Sequence, residues 1–393
     1  MTIRWFVPGR IEVFGKHTDY AGGRSLVCAV PRGVTIEAES SADGRVIVED
    51  ETVGERAEFT TTGEGDAEGW RCYPRTVLRR LAANFPGAQL SARLRVSSDL
   101  PQAAGISSST AFLVGIAESL IDRAGLEHDD RWRAVIRAPE DRAGYFGCIE
   151  NGASFGPLAG DEGFGTHGGS EDHAAIVMSE ANELRAFSYS PITLESVASM
   201  PSGWTFVVVS SGVTARKAGN VQERYNRLSL DTVALVDAWR ETHPGDRRPL
   251  GRLAREGALH GWQPPRDLAG RLEHFVTEDA YVADASLAFT RGDIAAIGDL
   301  ATASQAGADR LLQNQIDETR ALVTLGRDIG APASSAFGAG WGGSVWALVK
   351  EGEADAFLSE WHAAYRKRFP ERPSEGFVSP PSAGIRRVPA PNS

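Results

Sequence analysis

Ser97-Ser98-Asp99-Leu100-Pro101-Gln102-Ala103-Ala104-Gly105-Ile106-Ser107-Ser108-Ser109-Thr110-Ala111 separates two stretches of different periodicity. Before it, Ala92-Arg93-Leu94-Arg95-Val96 alternates apolar and polar residues, as a half-buried strand does; after it, Ala111, Leu113, Val114, Ala117, Leu120 and Ile121 recur at helical spacing. The stretch therefore reads as strand, tight small-residue loop, then helix. Gly105 lets the backbone come close to a ligand. The serines fall where the first free N–H groups of the helix and the positive end of its dipole point outward. Such a loop either cradles a phosphate or is a Ser-rich helix cap and nothing more. No Gly-Lys-Ser/Thr closes it, so it is not a Walker loop.

Around this centre the chain has 393 residues, enough for two domains, with 42% hydrophobic and 24% charged residues. A formal charge of -11 argues against a nucleic-acid partner, which calls for a basic face, and favours small molecules. The three cysteines, Cys28, Cys72 and Cys148, show no paired spacing, so neither a disulfide framework nor a zinc knuckle is implied and a reducing compartment is expected. No apolar run approaches membrane-spanning length and the first residues lack a signal-peptide core, so a cytoplasmic location and no membrane partner are expected. Oligomeric state is not legible.

From the beginning, Ile3 to Val7 reads as a strand and Pro8 to Gly23 as a glycine-rich loop crowding Arg10, Glu12, Lys16, His17 and Asp19 together. Such a loop either faces water or lines a cleft. Leu26–Val30, Val34–Ala38 and Arg45–Glu49 read as strands, the segment from Glu51 to Gly69 as a loop or weak hairpin, and Tyr73 to Leu81 as a helix. Asp129 to Gly147 is helical in pattern with a break expected at Pro139. The run from Gly152 to Gly169 has no periodicity, and a loop of that length inside a compact domain is usually functional. Leu184–Tyr189 and Trp204–Val209 read as strands, with a change of domain near Pro191 to Gly203; Lys217 to Gly330 reads as mostly helical. A second glycine loop, Gly338-Ala339-Gly340-Trp341-Gly342-Gly343, feeds the strand Ser344–Val349, and an amphipathic helix follows around Trp361.

Three of these stretches together resemble the GHMP small-molecule kinases, and the first resembles their galactokinase branch. That branch reads Gly-Arg-x-Asn-Leu-Ile-Gly-Glu-His-Thr-Asp-Tyr, and Arg10, Gly15, His17, Thr18, Asp19, Tyr20 and Gly23 match it. The glycine-serine motif Pro-x-Gly-x-Gly-Leu-Ser-Ser-Ser-Ala is met by Pro101, Gly105, Ser107, Ser108 and Ser109, with Ala103 in place of a glycine. Gly338, Gly340, Gly342 and Gly343 meet the third motif, Gly-x-Gly-x-Gly-Gly. Between them, Gly165 to His173 is similar to Gly-x-x-Cys-Gly-Ile-Met-Asp-Gln, with Asp172 at the Asp and His173 in place of Gln. Trp70 to Leu81 is similar to the helix lining the adenine side, and Phe377 to Gly384 to the closing strand.

The resemblance implies an α+β chain of two domains, residues 1–198 resembling domain 2 of ribosomal protein S5 and residues 199–393 ferredoxin-like, with the active site in the cleft between them. It implies an ATP-dependent kinase acting on the anomeric hydroxyl of galactose or a related sugar, with a kinase of uronic acids or other aldoses, or a non-catalytic sugar and ATP sensor, as alternatives. ATP is then the co-substrate and Mg²⁺ the cofactor. Asp172 takes or orients the acceptor's proton, with Arg10 beside it and the transferring phosphoryl. Pro101, Ala103, Gly105, Ser107, Ser108 and Ser109 hold ATP, braced by the glycine loop 338–343. Ser109 and Glu150 hold the metal, with Asp161 and Glu162 next in line because the run from Glu150 to Asp172 is longer than in the family. Lys16, His17, Asp19 and Gly169 face the sugar.

Glu12 and Lys16 depart from the family's Asn and Glu. Two explanations compete: they pair with each other and galactose remains the substrate, or Lys16 faces the ligand and selects a uronic acid. The sugar-contacting tyrosine of the family is not evident near Lys217–Asn220. His167, Asp172 and His173 match no strong zinc spacing.

Overall fold

The computed structural model describes residues 2–101, 104–213 and 220–389. The expectation for Ala103 and most of that for Lys217–Asn220 lie outside the described residues.

Strand β1 covers Ile3–Phe14 and β2 covers Arg24–Glu39, followed by the hairpin β3 (Val46–Asp50) and β4 (Glu55–Phe59), helix α1 (Cys72–Asn84), β5 (Ala92–Ser98) and helix α2 (Ser108–Ala124). Two boundaries differ from the sequence expectation. The charged stretch from Arg10 to Phe14 is strand rather than loop, and β2 is one strand where two were expected. Both differences have one cause, a bulge at which residues 30–32 of β2 stand opposite Gly9 alone. Pro31, with no N–H to donate, fits there without breaking the ladder. Ile11, Val13 and Phe14 are buried, and this burial keeps β1 extended past its proline and glycine. At the bulge the Arg10 N–H turns to the Ile106 carbonyl at 3.2 Å, tying β1 to the loop before α2.

Helices α3 (Asp130–Val135) and α4 (Pro139–Asn151) are separated at Pro139, which occupies the first turn of α4, where its missing N–H costs nothing. Helix α5 (Glu171–Met178) follows the long loop, and β6 (Glu183–Ser188) and β7 (Thr193–Ser199) complete the first half. β7 had no counterpart in the sequence reading, its apolar side being partly exposed: Leu194 and Val197 are 38% and 42% accessible. The first sheet runs β12 (Arg386–Arg387)-β1-β2-β5-β3-β4, with β6 also on β2 and β7 outside it. Only β3 and β5 are parallel. Helix α2 lies across β1 and β2, where Gly115 lets its backbone approach Val7 and Ile36.

The second half comprises β8 (Trp204–Ser210), helices α6 (Asn220–Thr242), α7 (Leu250–Arg255), α8 (Ala269–Arg291), α9 (Ile294–Gly307) and α10 (Asp317–Asp328), then β9 (Ala333–Phe337), β10 (Ser344–Lys350), α11 (Ala354–Arg368) and β11 (Gly376–Ser379). Its antiparallel sheet runs β11-β8-β10-β9. The chain then returns to the first sheet, where β12 (Arg386–Arg387) pairs with β1.

The second sheet has no wet face. Val207, Val209, Val345 and Ala347 bury against α10 and α11, while the alternate residues Phe206, Val208, Trp346 and Leu348 join the core of the first half. Trp346 meets Phe14 edge-on at 6.3 Å and Phe206 at 5.4 Å. No described helix is long and apolar enough to cross a membrane.

Candidate active site

A cleft of about 770 Å³ opens where β1, the loop before α2, the start of α5 and the 338–343 loop converge. The two glycine-bearing loops meet backbone to backbone. A Cβ on Gly338 would stand 2.8 Å from the Gly105 carbonyl, and one on Gly105 would stand 3.3 Å from the Gly343 Cα. Ser344 Oγ donates to the Ala104 carbonyl at 2.6 Å, and Glu12 Oε2 accepts from the Gly338 N–H at 2.7 Å. Both Gly105 and Ser107 adopt positive φ, so the loop turns sharply before α2 begins. Ser107 Oγ and Ser108 Oγ are buried with no partner among the described residues, at the end of a helix whose dipole favours an anion.

Arg10 occupies the centre. Its Nη2 lies 2.7 Å from Asp172 Oδ1, its Nε 3.4 Å from Glu171 Oε1, and its Nη1 donates to the Gly105 carbonyl at 2.7 Å. Burial by itself opposes the guanidinium charge, but Asp172, Glu171 and Glu12 more than offset it, so the arginine is held firmly cationic. Glu171 is pushed well above the usual carboxylate range, by burial first and then by the nearby Glu12. Thr110 Oγ1 lies 3.0 Å from Glu150 Oε2 and 3.3 Å from Asp172 Oδ2.

On one side of this centre lie Asp19, Tyr20, Gly168, Gly169 and Tyr225; on the other an aromatic wall of Trp70, Tyr73, Phe112 and Phe164. Within that wall Tyr73 meets Phe164 edge-on at 4.6 Å, and Phe112 stands 6.0 Å from both Trp70 and Tyr73. A side chain on Gly169 would collide with Asp19, its Cβ falling 2.2 Å from Oδ2, so glycine is required for the loop to pass that carboxylate. His17 lines the cleft while its ring is engaged on both sides: Nδ1 with Tyr20 Oη at 2.8 Å and Nε2 with the Ala339 carbonyl at 3.1 Å. It thereby links the first motif to the glycine loop.

Lys16 stands apart. Its side chain is 1% exposed and does not line the cleft; Nζ donates to Ser304 Oγ at 2.6 Å and Ser335 Oγ at 3.1 Å, with Glu278 Oε1 at 3.9 Å. Glu278 Oε1 also accepts from the Gly15 and Lys16 N–H groups and from Ser304 Oγ. Neither sequence explanation describes this arrangement. Among the described residues Lys16 makes its ion pair with Glu278 and none with Glu12, although its charge still favours the ionised Glu12 carboxylate, and no ammonium is presented to a sugar carboxylate from this position. The physical reason is long-range: α8 and α9 bring Glu278 and Ser304 under β1 from more than 250 residues away.

Four functional candidates escaped the sequence reading. Glu171 and Thr110 sit inside quoted motifs at positions where the family has Met and Ala, a signal that was available. Tyr225 lies just beyond Lys217–Asn220, its ring 5.7 Å from His17. Glu278 carried no local signal. Asp161 and Glu162 lie off the metal candidates: Asp161 is 3.7 Å from Arg80 Nη1 and Glu162 is 3.0 Å from Arg79 Nη1. Among the described residues no group of three or more His, Cys, Asp or Glu could hold a metal by itself. Ser109 and Glu150 both line the cleft and offer hard oxygens of the kind Mg²⁺ takes, an ion that commonly uses only one or two protein ligands and completes its shell with phosphates and water.

Comparison with known proteins agrees with this geometry. Residues 2–39 match the galactokinase galactose-binding signature and residues 285–367 the GHMP kinase C-terminal domain. The chain is 26% identical over 386 residues to a galactokinase of Roseiflexus, covering 97% of this chain and 92% of that one. It is 25% identical to a galactokinase of Pyrococcus furiosus, covering 94% and 97%. In fold it is similar to Lactococcus lactis galactokinase, solved with galactose, at a TM-score of 0.80 and 22% identity over 98% of this chain and 95% of that one. Methanococcus jannaschii mevalonate kinase aligns at 0.61 and 14% identity, over 98% of each. The two sheets and the cleft between them are those of the two-domain GHMP kinase architecture. The chain thus carries a galactokinase galactose-binding signature and a GHMP kinase C-terminal domain, and it is similar to galactokinases over nearly its whole length.

Proposed function

We propose that this chain transfers the γ-phosphoryl group of ATP to the anomeric hydroxyl of galactose. The observation that carries the reading is the clamp of Arg10 between Asp172, at 2.7 Å, and the Gly105 carbonyl of the phosphate loop, also at 2.7 Å. One cation thereby joins the group that meets the acceptor to the loop that meets the donor.

Phosphoryl transfer depends on positioning and charge neutralisation. The backbone from Gly105 to Ser109, with the Ser107 and Ser108 hydroxyls, holds the triphosphate, and the Trp70–Tyr73–Phe112–Phe164 wall takes the adenine. Asp19, Gly169, Tyr225 and the fixed His17 shape the sugar side. Asp172 accepts the proton of the attacking hydroxyl. Arg10 keeps Asp172 ionised and neutralises charge on the transferring group. Ser109 and Glu150 hold Mg²⁺, which supplies charge neutralisation of the phosphates. The chain acts in the cytoplasm, a reading supported by its three free cysteines.

The test is coupled ADP release across aldoses, uronic acids and small alcohols. Galactose-dependent release, with galacturonate poorer, is expected. Stabilisation by galactose and ATP without ADP release from any acceptor would make the chain a sensor instead. Activity is expected to require Mg²⁺. Ser109→Ala raises the metal concentration at half-maximal rate, and Glu150→Gln raises it further because a charge as well as a ligand is altered. An unchanged metal dependence in Glu150→Gln would remove Glu150 from the metal site.

A further inference from the structure

Two residues that differ from the galactokinase motifs meet on one oxygen atom. Thr110 stands where the glycine-serine motif has Ala, and His173 where the acceptor motif has Gln. Thr110 Oγ1 lies 3.0 Å from Glu150 Oε2, and His173 Nε2 lies 3.2 Å from that same oxygen. The three side chains come from three elements, α2, α5 and the last turn of α4. All are buried, at 1%, 2% and 8% exposure for Thr110, His173 and Glu150.

We propose that Thr110 and His173 are positioning residues that hold the Glu150 carboxylate in the orientation in which it meets the nucleotide-bound cation. The proposal rests on the reading of Glu150 as a cation ligand. A glutamate held only by its stem spreads its oxygens over several rotamers, and a binding cation must select one at an entropic cost. A hydrogen bond from Thr110 and the close approach of the His173 ring, from two different elements, narrow that freedom in advance. The threonine has one proton to give, and Glu150 Oε2 is its nearer acceptor. The need for such a tether follows from the chain itself: Glu150 is the penultimate residue of α4, and the long 152–169 loop begins directly after it. Thr110 Oγ1 also stands 3.3 Å from Asp172 Oδ2, so the one hydroxyl lies between the cation ligand and the acceptor-facing carboxylate.

The experiment measures Mn²⁺ affinity by electron paramagnetic resonance on the full chain with saturating ADP and no sugar, alongside metal-free ADP affinity. Thr110→Val and His173→Leu are each expected to weaken Mn²⁺ binding by about 10-fold or more, in the range seen when partners that orient a ligand are lost. Metal-free ADP affinity should stay constant, which a general loss of structure would not allow. Thr110→Ser and His173→Gln each keep a donor and should recover most of the affinity. The double variant should lose less than the product of the single losses, because both act on one oxygen. If Glu150→Gln weakens Mn²⁺ binding while Thr110→Val and His173→Leu do not, the positioning role is overturned and the metal reading stands. If Glu150→Gln itself leaves Mn²⁺ affinity unchanged, both fall. Should Thr110→Val fail to fold by circular dichroism, His173→Leu against His173→Gln decides alone: equal Mn²⁺ affinities overturn the proposal.

Discussion

Asp172→Asn loses about two to four decades of kcat and keeps its affinity for ATP. The amide has nearly the shape of the carboxylate, and its oxygen can still accept from Arg10 Nη2, now 2.7 Å from Oδ1. The phosphate loop, which Arg10 also grips through the Gly105 carbonyl, therefore stays in place. What is lost is basicity, since an amide cannot take the proton that the acceptor hydroxyl must shed. Single-turnover ADP release and calorimetric titration with ATP separate the two effects. A variant that keeps most of its kcat would exclude Asp172 from proton transfer and leave it as the partner that steadies Arg10.

Lys16→Met destabilises the fold and leaves sugar preference alone. Lys16 and Glu278 are each 1% exposed, and removing the cation leaves the buried Glu278 charge with neutral donors alone, at a cost of about 3–5 kcal/mol. Spread over the unfolding entropy of a chain this long, that loss lowers Tm by roughly 4–6 °C. Because Nζ points at Ser304 and Ser335 rather than into the cleft, the galacturonate-to-galactose ratio of kcat/KM should not move. A ratio that shifts by about tenfold or more with an unchanged melting temperature would return Lys16 to the sugar pocket.

The difference between these two residues shows how far the sequence could be read. Asp172 lies in one motif and its partners Arg10 and Thr110 lie in two others, so its surroundings were legible once the three motifs were taken together. Lys16 lies in a motif too, but its partners come from α8, α9 and β9, and nothing within ten residues of it announces them. The same division holds for the fold. Periodicity marked β5, α2, β8 and α11, where one face is plainly apolar, and Pro139 marked a helix start. β7 was missed because an edge strand with a partly exposed face lacks a clean alternation. The single long β2 was missed because Pro31 and Gly33 look like a stop, and only the partner strand reveals that they sit at a bulge.

The second sheet buries both of its faces, one against α10 and α11 and the other through Trp346 against Phe14 of β1 and through Phe206 against Phe289 of α8. Neither half is thus a module that can be lent out. A chimera joining the first half of this chain to the second half of a relative would set unmatched aromatic surfaces against each other at that seam, and the mismatch would fall directly beneath the two glycine loops. Sugar preference in this architecture is accordingly altered residue by residue along the cleft, whereas exchange of whole halves requires the seam to be inherited intact.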